Sequence, residues 1–183
     1  AGLFTPNLAG VGTYPIKAVY TSNKGCQDSV TRNITVWPSP IAKFGISSPV
    51  CEKNALTFTD SSVANFSNIV TWNYNFGDAT NLTRTNATAF TKTYTNSNTY
   101  NATLKVTTDS GCVSSIFTKT IKVNYLPVVN FSLPEICLPD GRGTFTNSST
   151  ILDNTDALFT YNWNFGDAAN TTPSVLKNPT HQY

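Results

Sequence analysis

The chain has 183 residues and a formal net charge of +2, and only 12% of it is charged, about half the usual share. With no basic run, it has nothing to draw nucleic acid or an anionic membrane by charge, and no apolar stretch approaches the ~20 residues of a membrane helix. The single His, His181, stands without paired carboxylates, a phosphate loop or a nucleophile–base spacing, so neither catalysis nor a cofactor is expected.

Period-2 alternation begins early and persists. Tyr14, Ile16, Ala18 and Tyr20 share one face of a strand, and residues 1–37 read as the last strands of one module. Seven strands follow, near 41–46, 54–60, 69–76, 80–83, 86–94, 98–107 and 113–123. Within them Trp72, Tyr74 and Phe76 point one way while Asn73 and Asn75 point the other. Tyr161, Trp163 and Phe165 repeat that pattern, and residues 126–183 read as the first strands of a further module. Gly, Pro, Asn and Ser clusters punctuate the runs, and no window has a helical period with caps, so the fold is expected to be all-β. Pro-containing junctions at Trp37–Pro40 and Asn124–Pro127 divide the chain into 1–37, 38–125 and 126–183.

The modules are copies of one another. Tyr74-Asn75-Phe76-Gly77-Asp78 aligns with Trp163-Asn164-Phe165-Gly166-Asp167 at 163 − 74 = 89, and Leu56–Ser62 aligns with Gly143–Ser149 at 143 − 56 = 87. Thr13-Tyr14 aligns with Thr99-Tyr100, and Gly25-Cys26 with Gly111-Cys112, both at an offset of 86. A period of this size means a row of small domains. No Met occurs, even at residue 1, and no charged-then-apolar signal segment opens the chain. It is therefore expected to be a mature or cut segment whose parent continues on both sides; the other arrangement is one in which half-modules complete one another between copies.

Tyr74–Asp78, then Phe90–Tyr94, then Asn98–Val106 resemble the PKD (polycystic kidney disease) domain, which reads approximately W-x-F-G-D-G, H-x-Y, G-x-Y-x-V-x-L-x-V. The third copy is closer to that pattern, with Trp163, Phe165, Gly166, Asp167, His181 and Tyr183. Ala79 and Ala168 stand where the family has Gly, and Asn98 where it has Gly before the Tyr. The first stretch, Gly2-Leu3-Phe4-Thr5-Pro6 through Gly10–Tyr14 to Gly25-Cys26, is more similar to the related bacterial immunoglobulin-like repeat. The resemblance implies tandem immunoglobulin-like (PKD-type) β-sandwiches in an elongated array, roughly 80 Å for two periods. With the Cys and the Thr/Asn-rich surface, it also implies the repeat regions of surface adhesins exported by the type IX pathway in gliding Bacteroidota.

Each motif has a structural reading beside a functional one. Asp78 and Asp167 could serve calcium, but each has few acidic neighbours; a carboxylate accepting backbone N–H bonds in a turn is the expected role, with no metal. Tyr74, Trp163 and Trp72 could stack on sugar rings, but alternation assigns them to a core, Trp72 less firmly because it lies nearer a strand end. His181 and Tyr183 match the structural His-x-Tyr of the family. The four Cys recur in register, which suits an oxidising compartment, while intervals of 25, 61 and 25 do not suit zinc. Two pairings are open. Cys51–Cys112 would staple the middle module, closing a loop worth about 4 kcal/mol. Pairing across junctions would instead leave Cys26, Cys51, Cys112 and Cys137 with partners outside this sequence. Asp28-Ser29-Val30 resembles the Bacteroidota O-glycosylation site, making Ser29 a candidate.

The expected role is a non-catalytic spacer or adhesive repeat of a secreted cell-surface filament. Its partners would be neighbouring modules and surface polysaccharide or secretion proteins, with no membrane insertion. The alternative is an accessory carbohydrate-binding segment of a secreted polysaccharide- or protein-degrading enzyme.

Overall fold

The computed structural model describes residues 5–137 and 140–183. Gly2, Leu3 and Phe4, part of the opening resemblance, lie outside them. The chain divides into two units: one runs to Pro49 and adds 55–92 and 99–122, and the other takes 50–54, 93–98 and the chain from Val123 onward.

The first unit opens with a single helical turn, α1 (Pro6–Ala9), in a fold that is otherwise built of strands, as expected. Four residues are too few to show a period, and Pro suits the first helical position because its missing N–H has no partner there. Strands β1 (Gly12–Thr21) and β2 (Gln27–Val36) then form a hairpin, paired from Gly12↔Val36 to Thr21↔Gln27. The hairpin is exposed on both faces, Ile16, Val19, Tyr20, Val30 and Ile34 included.

The remaining strands of this unit are β3 (Phe44–Ile46), β4 (Ala55–Asp60), β5 (Ile69–Asn75), β6 (Asn81–Arg84), β7 (Phe90–Thr93), β8 (Asn98–Thr108) and β9 (Phe117–Val123). They form an immunoglobulin-like sandwich of two sheets, β3-β4-β7 and β6-β5-β8-β9. In the larger sheet Tyr74 lies opposite Leu82 and Leu104, and Trp72 opposite Arg84 and Val106. Alternation sends Phe44, Phe58, Tyr74, Phe76 and Phe90 inward, where neighbouring ring centroids lie 5.0–6.2 Å apart, mostly edge-to-face. Leu104, Val106 and Ile121 are buried with them.

Three strands are shorter than expected, each for a local reason. β3 starts at Phe44 because Pro38 and Pro40 supply no ladder donor, leaving Ile41 only a lone bridge to Val63. Asn86 turns the chain by accepting bonds from Thr88 N and Arg84 Nη2, so β7 begins at Phe90. Thr108 and Cys112 close a turn through Thr108 N to Cys112 O at 2.9 Å, which delays β9 to Phe117.

In the second unit, β10 (Phe131–Ser132) pairs with β12 (Thr146–Asn147), and β11 (Arg142–Thr144) with β13 (Thr180–Gln182). A 3-10 turn covers Asp156–Leu158. The repeat is visible at the level of single bonds. Ser62 Oγ accepts from Lys43 N at 3.1 Å and donates to Lys43 O at 3.2 Å; Ser149 Oγ does the same with Asn130 N at 3.0 Å and Asn130 O at 3.1 Å.

The cysteine staple inside the middle module is not formed: Cys26, Cys51, Cys112 and Cys137 are all free thiols. The topology forbids Cys51–Cys112. Cys51 bridges Asn124, just beyond the end of β9, whereas Cys112 precedes its start. A seven-residue strand keeps them apart by roughly 23 Å, well past the ~7 Å Cα limit of a disulfide.

Candidate functional site

The two Asn-Phe-Gly-Asp turns share a wiring set by their side chains. Asn75 Oδ1 accepts the Gly77 N–H at 2.8 Å, and Asn164 Oδ1 accepts that of Gly166 at 2.9 Å. Asp78 Oδ1 then accepts from Thr80 N at 3.1 Å, and Asp167 Oδ1 from Ala169 N at 2.8 Å. Their second oxygens take a cation or its equivalent from the same repeat position: Lys92 Nζ lies 2.7 Å from Asp78 Oδ2, and His181 Nε2 lies 3.1 Å from Asp167 Oδ2. Lys92 also sits over the Phe76 ring, while the buried His181 stacks on Phe165 at 4.3 Å. Tyr183 packs edge-on against His181 and donates to Phe165 O at 3.0 Å.

The electrostatics follow this wiring. Burial works against the Asp78 carboxylate, but the bonds from Lys92 and Thr80 outweigh it and hold the group below its ordinary range. Asp167 is held low chiefly by the Ala169 N–H and then by His181. Burial, reinforced by the Asp60 charge and partly offset by Arg84, pushes the Tyr74 hydroxyl up to about 12. Among the described residues no group of three or more His, Cys, Asp or Glu side chains comes together.

Trp72, Tyr74 and Phe76 are core residues and offer sugars no platform. Ser29 lies exposed on β2, its N–H bonded to Asp28 Oδ1 at 2.7 Å. In the second unit the aromatics are less covered. Trp163 is half-buried, donates from Nε1 to Leu176 O at 2.8 Å, and lines an open cleft of about 580 Å³ with Phe131 and Tyr161. The amides of Asn130, Asn147, Asn162 and Asn164 share its walls.

A second feature had no signal in the sequence beyond one acid in a loop. Glu52 is buried, and its carboxylate accepts from Ser97 N at 2.8 Å and Leu126 N at 3.3 Å. Its own N–H donates to Asn124 O at 2.9 Å, while Asn124 N donates to Val50 O at 3.0 Å. The outgoing chain is thus bonded into the loop that carries Cys51.

Residues 37–125 match the PKD domain family. Among solved structures, the chain is similar to the PKD1 domain of the Vibrio cholerae metalloprotease PrtV at 29% identity and a TM-score of 0.41, over 47% of this chain and 98% of that one. It is similar to the PKD1 domain of Vibrio anguillarum Epp at 21% identity and a TM-score of 0.42, over 49% of this chain and 98% of that one. The fibronectin(III)-like modules of Clostridium thermocellum CbhA share 15% identity at a TM-score of 0.42, over 63% of this chain and 64% of theirs. A search of curated proteins returned no match.

Proposed function

We propose that this chain is a non-catalytic, load-bearing stretch of a secreted cell-surface adhesin or filament, with its modules acting as links that carry a distant binding end away from the cell. The carrying observation is that the middle module holds both its incoming and its outgoing backbone. Ile41 and Val63 exchange bonds of 2.8 and 2.9 Å at one end, and Asn124 and Leu126 are bonded to the 50–52 loop at the other. Tension entering at one junction therefore passes through ladder bonds before it leaves at the next. The PKD match of residues 37–125 supports an extracellular setting; assignment to the gliding adhesins exported by the type IX pathway is part of the proposal and rests on the resemblance of the repeats alone.

Pulling the full chain from its ends in a force spectrometer is the test. The middle module should open in one step: 124 − 41 = 83 spacings at ~3.6 Å each release roughly 300 Å, less the folded separation. A trace that extends smoothly with no such step would sink the load-bearing reading.

A second reading, glycan binding, has the aromatic and amide lining of the cleft in its favour. Retardation of the chain in polysaccharide-containing gels, lost on Trp163→Ala, would support it. Ser29 is proposed as an O-glycan site, and an intact mass equal to the bare polypeptide in material from the native host would remove it.

A further inference from the structure

We propose that Glu52 is the bolt of a lock at the outgoing end of the middle module, a device that makes the 50–53 loop, the β7–β8 turn and the chain leaving β9 open together. Three segments far apart in sequence meet there. Lys53 N donates to Tyr94 O at 2.7 Å, joining the loop to the turn. Ser97 Oγ donates to Val123 O at 2.9 Å, joining the turn to the end of β9. Asn124 N and Nδ2 both donate to Val50 O, at 3.0 and 3.1 Å, and close the ring from the outgoing chain back to the loop. Glu52 spans all three segments. Its N–H donates to Asn124 O, Oε2 accepts from Ser97 N at 2.8 Å, and Oε1 accepts from Leu126 N at 3.3 Å.

The chemistry of the bolt makes the closure concerted. Glu52 is 9% exposed, and no ion pair among the described residues includes it. A carboxylate taken out of water without a cation is tolerated only while hydrogen-bond donors replace the water. Here the donors are two backbone N–H groups from different segments, one on each oxygen. If either segment lifts, water reaches the carboxylate and competes for the bond that remains. The loop is also held in an uncommon backbone conformation, because Lys53 has φ 63°, and such residues persist where their surroundings over-determine them.

The lock belongs to this module and not to the repeat. Cys51 aligns with Cys137 at 137 − 51 = 86, which puts Leu138 at the position of Glu52, and a Leu side chain accepts no bond. Thr13-Tyr14 aligns with Thr99-Tyr100 at 86, which puts Val11 at the position of Ser97 and removes the hydroxyl. Trp37 stands at the position of Asn124, at 124 − 37 = 87, and has no amide. By contrast, Ser62 and Ser149 keep the same pair of bonds in both copies. Residues that build the fold recur, whereas those that fix this joint do not. The lock needs no load to operate, so its test is independent of the force measurement.

Amide hydrogen exchange of the full chain, read residue by residue by NMR at one fixed pH, is that test. Glu52→Gln keeps the size of the side chain and one acceptor oxygen. Two independent bonds would lose one partner and keep the other. A lock should loosen both, leaving Ser97 and Leu126 each about tenfold less protected, the order expected for one lost bond, while the amides paired between β5 and β8 change little. Leu126→Pro deletes the outgoing donor and leaves Glu52 in place; it should speed exchange at Ser97, 126 − 97 = 29 residues away, by a similar factor. Loosening of only one of the two amides in Glu52→Gln, an unchanged Ser97 in Leu126→Pro, or equal loosening of the β5–β8 ladder in both variants would each overturn the proposal.

Discussion

Gly77 and Gly166 occupy the same turn with nearly the same φ, 78° and 72°, and the Asn two residues before each accepts its N–H. Around Gly77, an added Cβ would meet the backbone N and O of Asn101 at 2.9 Å; around Gly166 it would meet nothing within 4 Å. The difference separates two causes. The turn itself is made by its own four or five residues and recurs wherever they recur. The burial behind it is made by β8, which arrives more than twenty residues later in the chain. Local chemistry is thus equal in the two copies, and long-range packing is not.

Core truncation should show the largest contrast. Phe44→Ala is expected to cost about 3–5 kcal/mol in denaturant unfolding, the range for a fully packed ring, while Phe131→Ala should cost roughly 1 kcal/mol because much of its surface already meets water. Equal losses would mean that the two rings are equally packed in solution. Next comes the glycine pair. Gly77→Ala combines left-handed backbone strain with a backbone clash and should cost about 2–4 kcal/mol, against about 1 kcal/mol for Gly166→Ala.

The carboxylates come third. Asp78 has a folded pKa below its unfolded one, so its contribution is complete above the unfolded value near pH 4 and is lost as pH falls through the lower folded value. Asp78→Asn should flatten the acid limb of the stability profile, by about 1 kcal/mol, since the desolvation of the partly buried carboxylate offsets part of what its bonds to Lys92 and Thr80 contribute. A limb of unchanged steepness would assign acid sensitivity elsewhere. The smallest effect is expected at Ala79, which has φ 66° where the family carries Gly. Ala79→Gly should stabilise by about 0.5 kcal/mol, relief of strain being partly offset by the freer unfolded chain. Ala168 is not at positive φ, so Ala168→Gly should bring no gain.

Alternation was enough to put Trp72, Tyr74 and Phe76 on one face, and these are the residues the sandwich buries. Strand limits were less legible, because Pro40 and Asn86 end pairing through single missing or diverted donors that no periodicity reports. The cysteines misled in a specific way. Their recurrence in register says that they serve the repeat, but not whether they face inward or toward a neighbour; only the placement of Cys51 beside Asn124 and Cys112 beside Trp37 shows that they occupy opposite ends. Lys92 was visible only by its alignment with His181. Glu52 could not have been read at all, since its partners are backbone groups 45 and 74 residues away.

That buried carboxylate bears on how the junction after β9 would resist cleavage. Junctions between domains are where proteases ordinarily cut, because cleavage needs a segment that can peel away and extend into the enzyme. Here the N–H and C=O of Asn124 and the N–H of Leu126 are already committed to Val50 and Glu52. The segment can be offered to a protease only after those bonds open, so digestion at this junction is governed by local unfolding and not by simple access.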